Sequence, residues 1–189
     1  IVKDRTSVLL AGRTTYSDWL MKLIPEGSGY NNGTANFYDL NLGVSHRFDN
    51  KNQLFVNGYF SRDNFSFDPQ VSYRYQNINT SVRYRSVLRD HTNMVLSGTY
   101  DKYNYHTLDS TNIGMGYNMS FSLQQTSLKA DFTTKPGGGH TLNYGLNALY
   151  YFLDPGSFLP LDNRSLVVPD MLQRERAVET AVYLGDTWE

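Results

Sequence analysis

The sequence predicts an all-β protein, an antiparallel up-and-down meander of about eight strands. Three observations predict it: a hydrophobic period of two, links that alternate between short and long, and a composition with no room for a membrane-spanning helix. The period is plainest over residues 38–48. Tyr38, Leu40, Leu42, Val44, His46 and Phe48 alternate with Asp39, Asn41, Gly43, Ser45 and Arg47, and only His46 among the even positions is not apolar or aromatic. Successive side chains of a strand point to opposite faces, so this alternation describes a strand with one apolar and one polar face and is incompatible with a helix.

The elements follow in order. Residues 5–14 make a weaker first strand, and 38–48 the second. Leu54, Val56, Gly58 and Phe60 share one face of the third. Ile78, Thr80, Val82, Tyr84 and Leu88 oppose Asn77, Asn79, Ser81, Arg83 and Arg85 in the fourth. Met94, Leu96, Gly98 and Tyr100 oppose Val95, Ser97, Thr99 and Asp101 in the fifth. Leu128, Ala130 and Phe132 mark the sixth, Leu142 through Phe152 the seventh, and Val178, Val182, Leu184 and Trp188 the eighth. The turns Asp49–Asn52, Arg89–Thr92 and Lys135–Gly139 are short and rich in turn formers. Longer links fall near 15–34, 108–117 and 154–173, with Asp68-Pro69 the one short link among them, and Tyr16–Ile24 reads as a helical patch in the first.

Seventeen Lys and Arg against 18 Asp and Glu leave a net charge of -1, which excludes a basic nucleic-acid binder and an acidic solvating tail. With no Cys, disulfide frameworks and thiol chemistry are excluded too. The longest wholly apolar run is Ala148–Leu153, whereas a spanning helix needs about 20 apolar residues. A mean hydropathy of -0.49 ordinarily marks a water-soluble chain. It is equally what a transmembrane β-barrel yields, because every second residue there faces water or protein.

Strands of about 11–16 residues are long enough to cross a bilayer when tilted. Lipid offers the backbone no hydrogen bonds, so only a closed barrel satisfies such strands. The expected arrangement therefore turns the apolar face to lipid, with Tyr38, Phe48, Tyr144, Tyr150 and Trp188 at the interfaces. Asp39, Arg47, Arg83, Arg85, Asp101, Lys129, Asp131 and Glu179 then face the lumen or a plug. Their mixed signs disfavour an ion-selective pore. The competing reading is a soluble β-rich module whose aromatics form a core and whose charges are solvated.

Catalytic patterns are absent. His46, His91, His106 and His140 have no ligand spacing, so neither metal nor cofactor is expected and no enzyme activity is assigned. Gly137-Gly138-Gly139 precedes a strand rather than a helix and reads as a turn, not a phosphate loop. Ligand contacts are expected in the long links, at Tyr16, Trp19, Tyr30, Phe158 and Arg164, where aromatics stand beside Asn or Arg. The alternative for each is that it folds its link back onto the sheet.

Three segments resemble the barrel domain of TonB-dependent outer-membrane receptors, in the branch with a carboxypeptidase-regulatory-like extension. They are Gly12-Arg13-Thr14-Thr15-Tyr16-Ser17-Asp18-Trp19-Leu20; Ala35-Asn36-Phe37-Tyr38-Asp39-Leu40 together with Leu54-Phe55-Val56-Asn57-Gly58-Tyr59-Phe60-Ser61-Arg62-Asp63; and Glu179-Thr180-Ala181-Val182-Tyr183-Leu184-Gly185-Asp186-Thr187-Trp188-Glu189. The first is the most distinctive. The resemblance implies a 22-stranded transmembrane barrel around an N-terminal plug, of which these strands would be roughly a third. It also implies a bacterial outer-membrane location, TonB as the energy source, in some members a surface lipoprotein partner, and import of a scarce siderophore, vitamin, glycan or peptide. No plug or TonB box is found in the sequence, so a fragment is expected. A complete eight-stranded barrel with a structural or adhesive role, and the soluble module, stay open beside it.

Overall fold

The alternating segments are strands, and each pairs antiparallel with the next. The computed structural model describes residues 2–25, 27, 32–89 and 91–189, and of Tyr16, Asp18, Phe67 and Arg89 the backbone alone. Eight long strands form one sheet: β1 (Thr6–Tyr16), β2 (Thr34–Arg47), β3 (Asn52–Asp68), β4 (Val71–Arg89), β5 (Thr92–Asp109), β6 (Tyr117–Gly137), β7 (His140–Pro160) and, last in the chain, β9 (Glu175–Trp188). A two-residue β8 (Asp170–Met171) lies along Ser157–Phe158 of β7, beyond the stretch that β9 occupies. Among the described residues the sheet is open: β1 pairs only with β2, and β9 only with β7.

The links alternate as expected. The turns after β2, β4 and β6 lie at one end, and Gly137, Gly138 and Gly139 all have positive φ, which favours glycine there. At the other end lie the links after β1, β3, β5 and β7, with the single helical turn α1 (Asp18–Met21) in the first. That helix is shorter than the Tyr16–Ile24 patch predicts. The last long link also starts later than expected, because β7 runs on to Pro160.

Strand length is the larger difference. β6 and β7 have 21 residues each, where 11–16 were expected. About 9–11 tilted residues suffice to cross a bilayer, so these strands continue well past any such span. The sequence pattern ends early because the face that is apolar near the turns becomes polar higher up, and the period-2 signal goes with it.

Away from the hairpin ends, where register shifts between Phe65 and Asp68, Val87 and Arg89, and Thr134 and Gly137, the even-numbered residues of β1–β7 and β9 share one face until a bulge late in β7, and the odd-numbered residues share the other. The even face carries the aliphatics. Leu10, Leu128, Leu146 and Val182 are 68%, 63%, 51% and 87% exposed, and no apolar residue is buried anywhere among the described residues. The apolar band runs obliquely to the hydrogen-bond rows. One row reads Gly12, Leu40, Phe60, Ile78, then Lys102, Gln124, Phe152 and Arg176, keeping one apolar residue past β4, while Met94, Phe132, Tyr144 and Leu184 extend the band downward on that side. An oblique band is what tilted strands produce when a level apolar layer crosses them.

Candidate functional site

The odd face divides along its height. Near the turns it is mostly basic. Arg47, Arg83, Arg85 and Lys129 stand there with Asp131, and a groove of about 680 Å³ runs between Phe55, Arg83, Arg85, Lys129 and Asp131. Lys129 Nζ meets Asp131 at 2.9 Å and lies 5.7 Å from the centre of the Tyr183 ring, whose hydroxyl donates to Asp131. Arg47 is anchored on the Asp4 carbonyl at 2.6 Å. Arg83 and Arg85 have no acidic partner in direct contact among the described residues.

Toward the long links the same face is acidic and aromatic. Asp39 is buried and paired with Arg13 at 2.7 Å, and that guanidinium also lies over Phe37. Asp101 accepts from the Asn79 amide. Above them runs a wall of rings. Tyr75 and Tyr105 have centroids 5.3 Å apart, Tyr105 and Phe121 5.0 Å, Tyr103 and Phe121 5.8 Å, and Phe65 and Tyr73 6.3 Å, all in tilted geometry. Rings at these distances and tilts attract one another beyond simple area burial.

A bulge completes the wall. Phe121 of β6 faces two residues of β7, Pro155 and Gly156, so register shifts between Ser120/Ser157 and Ser122/Asp154. An extra residue flips every side chain beyond it to the other face. Phe158 thereby joins the odd face and packs on Tyr117 at 4.8 Å. Only glycine fits the bulge: Gly156 has φ 129°, and a Cβ there would come 2.8 Å from the Ser120 carbonyl oxygen. Beside Tyr117 and Phe158 a largely apolar cavity of about 520 Å³ opens, closed by Asn112 and Met115 of one link and Leu166, Val167 and Val168 of another.

The residues expected from sequence are distributed as follows. Asp39, Arg47, Arg83, Arg85, Asp101, Lys129, Asp131 and Glu179 all stand on the odd face. Of the link residues, Phe158 lies in β7 rather than in a loop and borders the cavity. Trp19 is exposed on α1 at the opposite edge of the sheet. Arg164 is tied to Asp162 at 2.6 Å in a local turn, where its side chain and backbone N–H hold the Asp162 carboxyl below the ordinary carboxylate range. Tyr16 ends β1 opposite Asn36, its side chain outside the described residues, and Tyr30 lies outside them altogether. The five therefore do not form one site.

Sequence reading missed the ring wall. It places the tyrosines at band edges, and Tyr38, Tyr84, Tyr100, Tyr144 and Tyr150 do stand on the even face. More of them, Tyr59, Tyr73, Tyr75, Tyr103, Tyr105, Tyr117, Tyr151 and Tyr183, occupy the polar face. The signal was the Tyr-x-Tyr pairs 73/75 and 103/105. Two tyrosines spaced by two share a face, and on both strands that face is the one carrying Asn77 or Asp101.

A single antiparallel, up-and-down sheet whose apolar side chains are all at the surface has the architecture of an outer-membrane β-barrel wall. Known structures agree. The ferric preacinetobactin receptor BauA of Acinetobacter baumannii superposes with a TM-score of 0.68 at 13% identity, over 96% of this chain and 34% of that one. The translocator domain of the autotransporter NalP of Neisseria meningitidis superposes with a TM-score of 0.51, also at 13% identity, over 96% of this chain and 60% of that one. The chain thus spans about a third of the receptor's length. No protein-family model and no curated protein matches it.

Proposed function

We propose that the chain forms part of the barrel of a TonB-dependent outer-membrane transporter that imports a scarce ligand without catalysis. In this reading the even face meets the bilayer and the odd face lines the lumen. The turns are periplasmic and the long links extracellular. The observation that carries it is the exposed aliphatic band on the even face, with no apolar residue buried behind it. A folded chain in water would sequester that surface; in lipid it needs no cover. The unpaired outer edges of β1 and β9 support a wall within a larger barrel over a complete eight-stranded one. A plug would rest against the basic stretch of the odd face. Ligand would enter past the cavity at Tyr117 and Phe158 and descend along the ring wall. Lipid, the plug and remaining strands, TonB and, in some members of the branch, a surface lipoprotein are the partners that go with the reading.

Tryptophan placed at position 128 or 127, in a background with Trp19→Phe and Trp188→Phe, tests the face assignment. In vesicles of brominated phosphatidylcholine, quenching at 128 and not at 127 is expected. Equal quenching at both overturns the wall. Uptake assays in whole cells with ferric chelates, vitamins, glycans and peptides address transport. Import that persists after a protonophore collapses the inner-membrane gradient would mark a passive pore instead.

A further inference from the structure

The even face carries a second layer above its apolar band. Arg62 on β3 stands one step past Phe60, Lys102 on β5 stands directly opposite Ile78 where the row turns polar, and above them is Arg74 on β4, in register with His106 and donating to the Asn64 amide oxygen at 3.1 Å. At the β9 edge Arg176 lies 5.4 Å from the centre of the Phe152 ring, at the band's upper limit. Among the described residues none of Arg62, Arg74, Lys102 and Arg176 has an acidic partner, and Arg62 Nε is buried with no acceptor at all. The acid of this layer, Asp154, is already paired with Arg174 at 2.9 Å. The odd face at the same height carries Asp39, Asp63 and Asp101. At this height the excess of positive charge is therefore confined to the even face.

We infer that this collar binds the anionic phosphate headgroups of lipids in the outer leaflet. The inference rests on the even face being the lipid face. If that face meets lipid, the layer just above its aliphatics lies at headgroup height, where unpaired cations attract anionic lipid. Long basic side chains there can extend along the apolar surface while their charges reach the headgroups. The same level of the even face holds a cavity of about 600 Å³ beside the cations, lined by Asn104, His106, Ser122, Asp154 and Arg174, with room for polar headgroup atoms. Guanidinium groups suit such ligands because their planar donors match phosphate oxygens two at a time.

The test is native mass spectrometry of the full chain released from phosphatidylcholine nanodiscs holding a minor fraction of phosphatidylglycerol. The wild type should retain phosphatidylglycerol in preference to phosphatidylcholine. Removing the charges with Arg62→Gln, Arg74→Gln and Lys102→Gln should reduce that preference about fivefold per cation, on the order of a hundredfold together. Arg83→Gln, Arg85→Gln and Lys129→Gln on the odd face should leave it unchanged. The swaps Arg74→Lys and Lys102→Arg should preserve it, separating lost charge from lost fold. Inorganic phosphate should not displace the bound lipid. Retention that is equal in the wild type and the collar variant, in a protein whose residue 128 is still quenched by lipid bromine, overturns the collar and leaves the wall reading standing. Absence of quenching at 128 overturns both.

Discussion

The two faces of this sheet share every backbone hydrogen bond and differ in almost everything else. The even face is aliphatic near the turns and basic toward the long links, whereas the odd face is basic near the turns and acidic and aromatic toward the links. Arg83 and Val82 are adjacent in sequence, yet one borders a polar groove and the other an apolar surface patch. A strand lets one stretch of chain serve two solvents, because neighbouring side chains diverge by half a turn. The second division, along the height of each face, comes from elsewhere. The strands outrun the apolar band, and what lies above it follows different rules.

Four experiments probe this contrast, from the largest expected effect to the smallest. Leu42→Arg puts a charge in the apolar band and should destabilise the membrane-inserted fold by about 2–4 kcal/mol, whereas Ser81→Arg on the odd face should be nearly neutral. Urea titration of the chain in vesicles measures both, and equal losses would erase the distinction between the faces.

Gly156→Ala should distort the β7 bulge, at about 1–3 kcal/mol for a strained backbone. Its effect should be strongest on the odd face, through loss of the packing of Phe158 on Tyr117. Unchanged stability and an intact Tyr117–Phe158 contact in the variant would mean that the bulge does not depend on the glycine.

A double-mutant cycle between Tyr105→Ala and Phe121→Ala should return a coupling of about 0.5–1.5 kcal/mol, as expected for tilted rings in contact. A coupling of zero would reduce the ring wall to independent side chains.

The smallest effect is at the β2–β3 turn. Asp49 is held below its ordinary value of 3.8, first by the Asn52 side-chain amide and then by the Lys51 and Asn52 backbone N–H groups. A carboxyl whose pKa is lower folded than unfolded stabilises the fold above the unfolded value, and that contribution is lost as pH falls through the folded one. Hydrogen exchange at the Lys51 and Asn52 amides should therefore be flat near neutrality and accelerate relative to the intrinsic rate below pH 3.8, and Asp49→Ala should abolish that pH dependence. A wild type without such a step would show that the turn is held by its backbone alone.

Much of the architecture was legible beforehand. Strand identity, antiparallel order and the alternation of short and long links follow from period 2 and turn residues, which are local properties. The assignment of Asp39, Arg83 and Lys129 to one face needed only parity and an uninterrupted register. Parity fails at Gly156, where the extra residue carries Phe158 from the face its number implies to the other. It also gives no warning of strand ends: past residue 100 both faces of β5 contain polar groups, so the alternation becomes invisible while the hydrogen-bond ladder continues to Asp109.

The sequence by itself therefore determined which residues alternate, where the chain turns and which side chains could never be buried together. Those depend on neighbours within a few positions, and local chemistry decides them. Only the tertiary structure decided how far each strand runs, where the register shifts, and that tyrosines from three strands meet in one wall beneath a cavity. Those are agreements between segments far apart in the chain. They are set when the hydrogen-bond ladder chooses its register, and no single strand carries that choice.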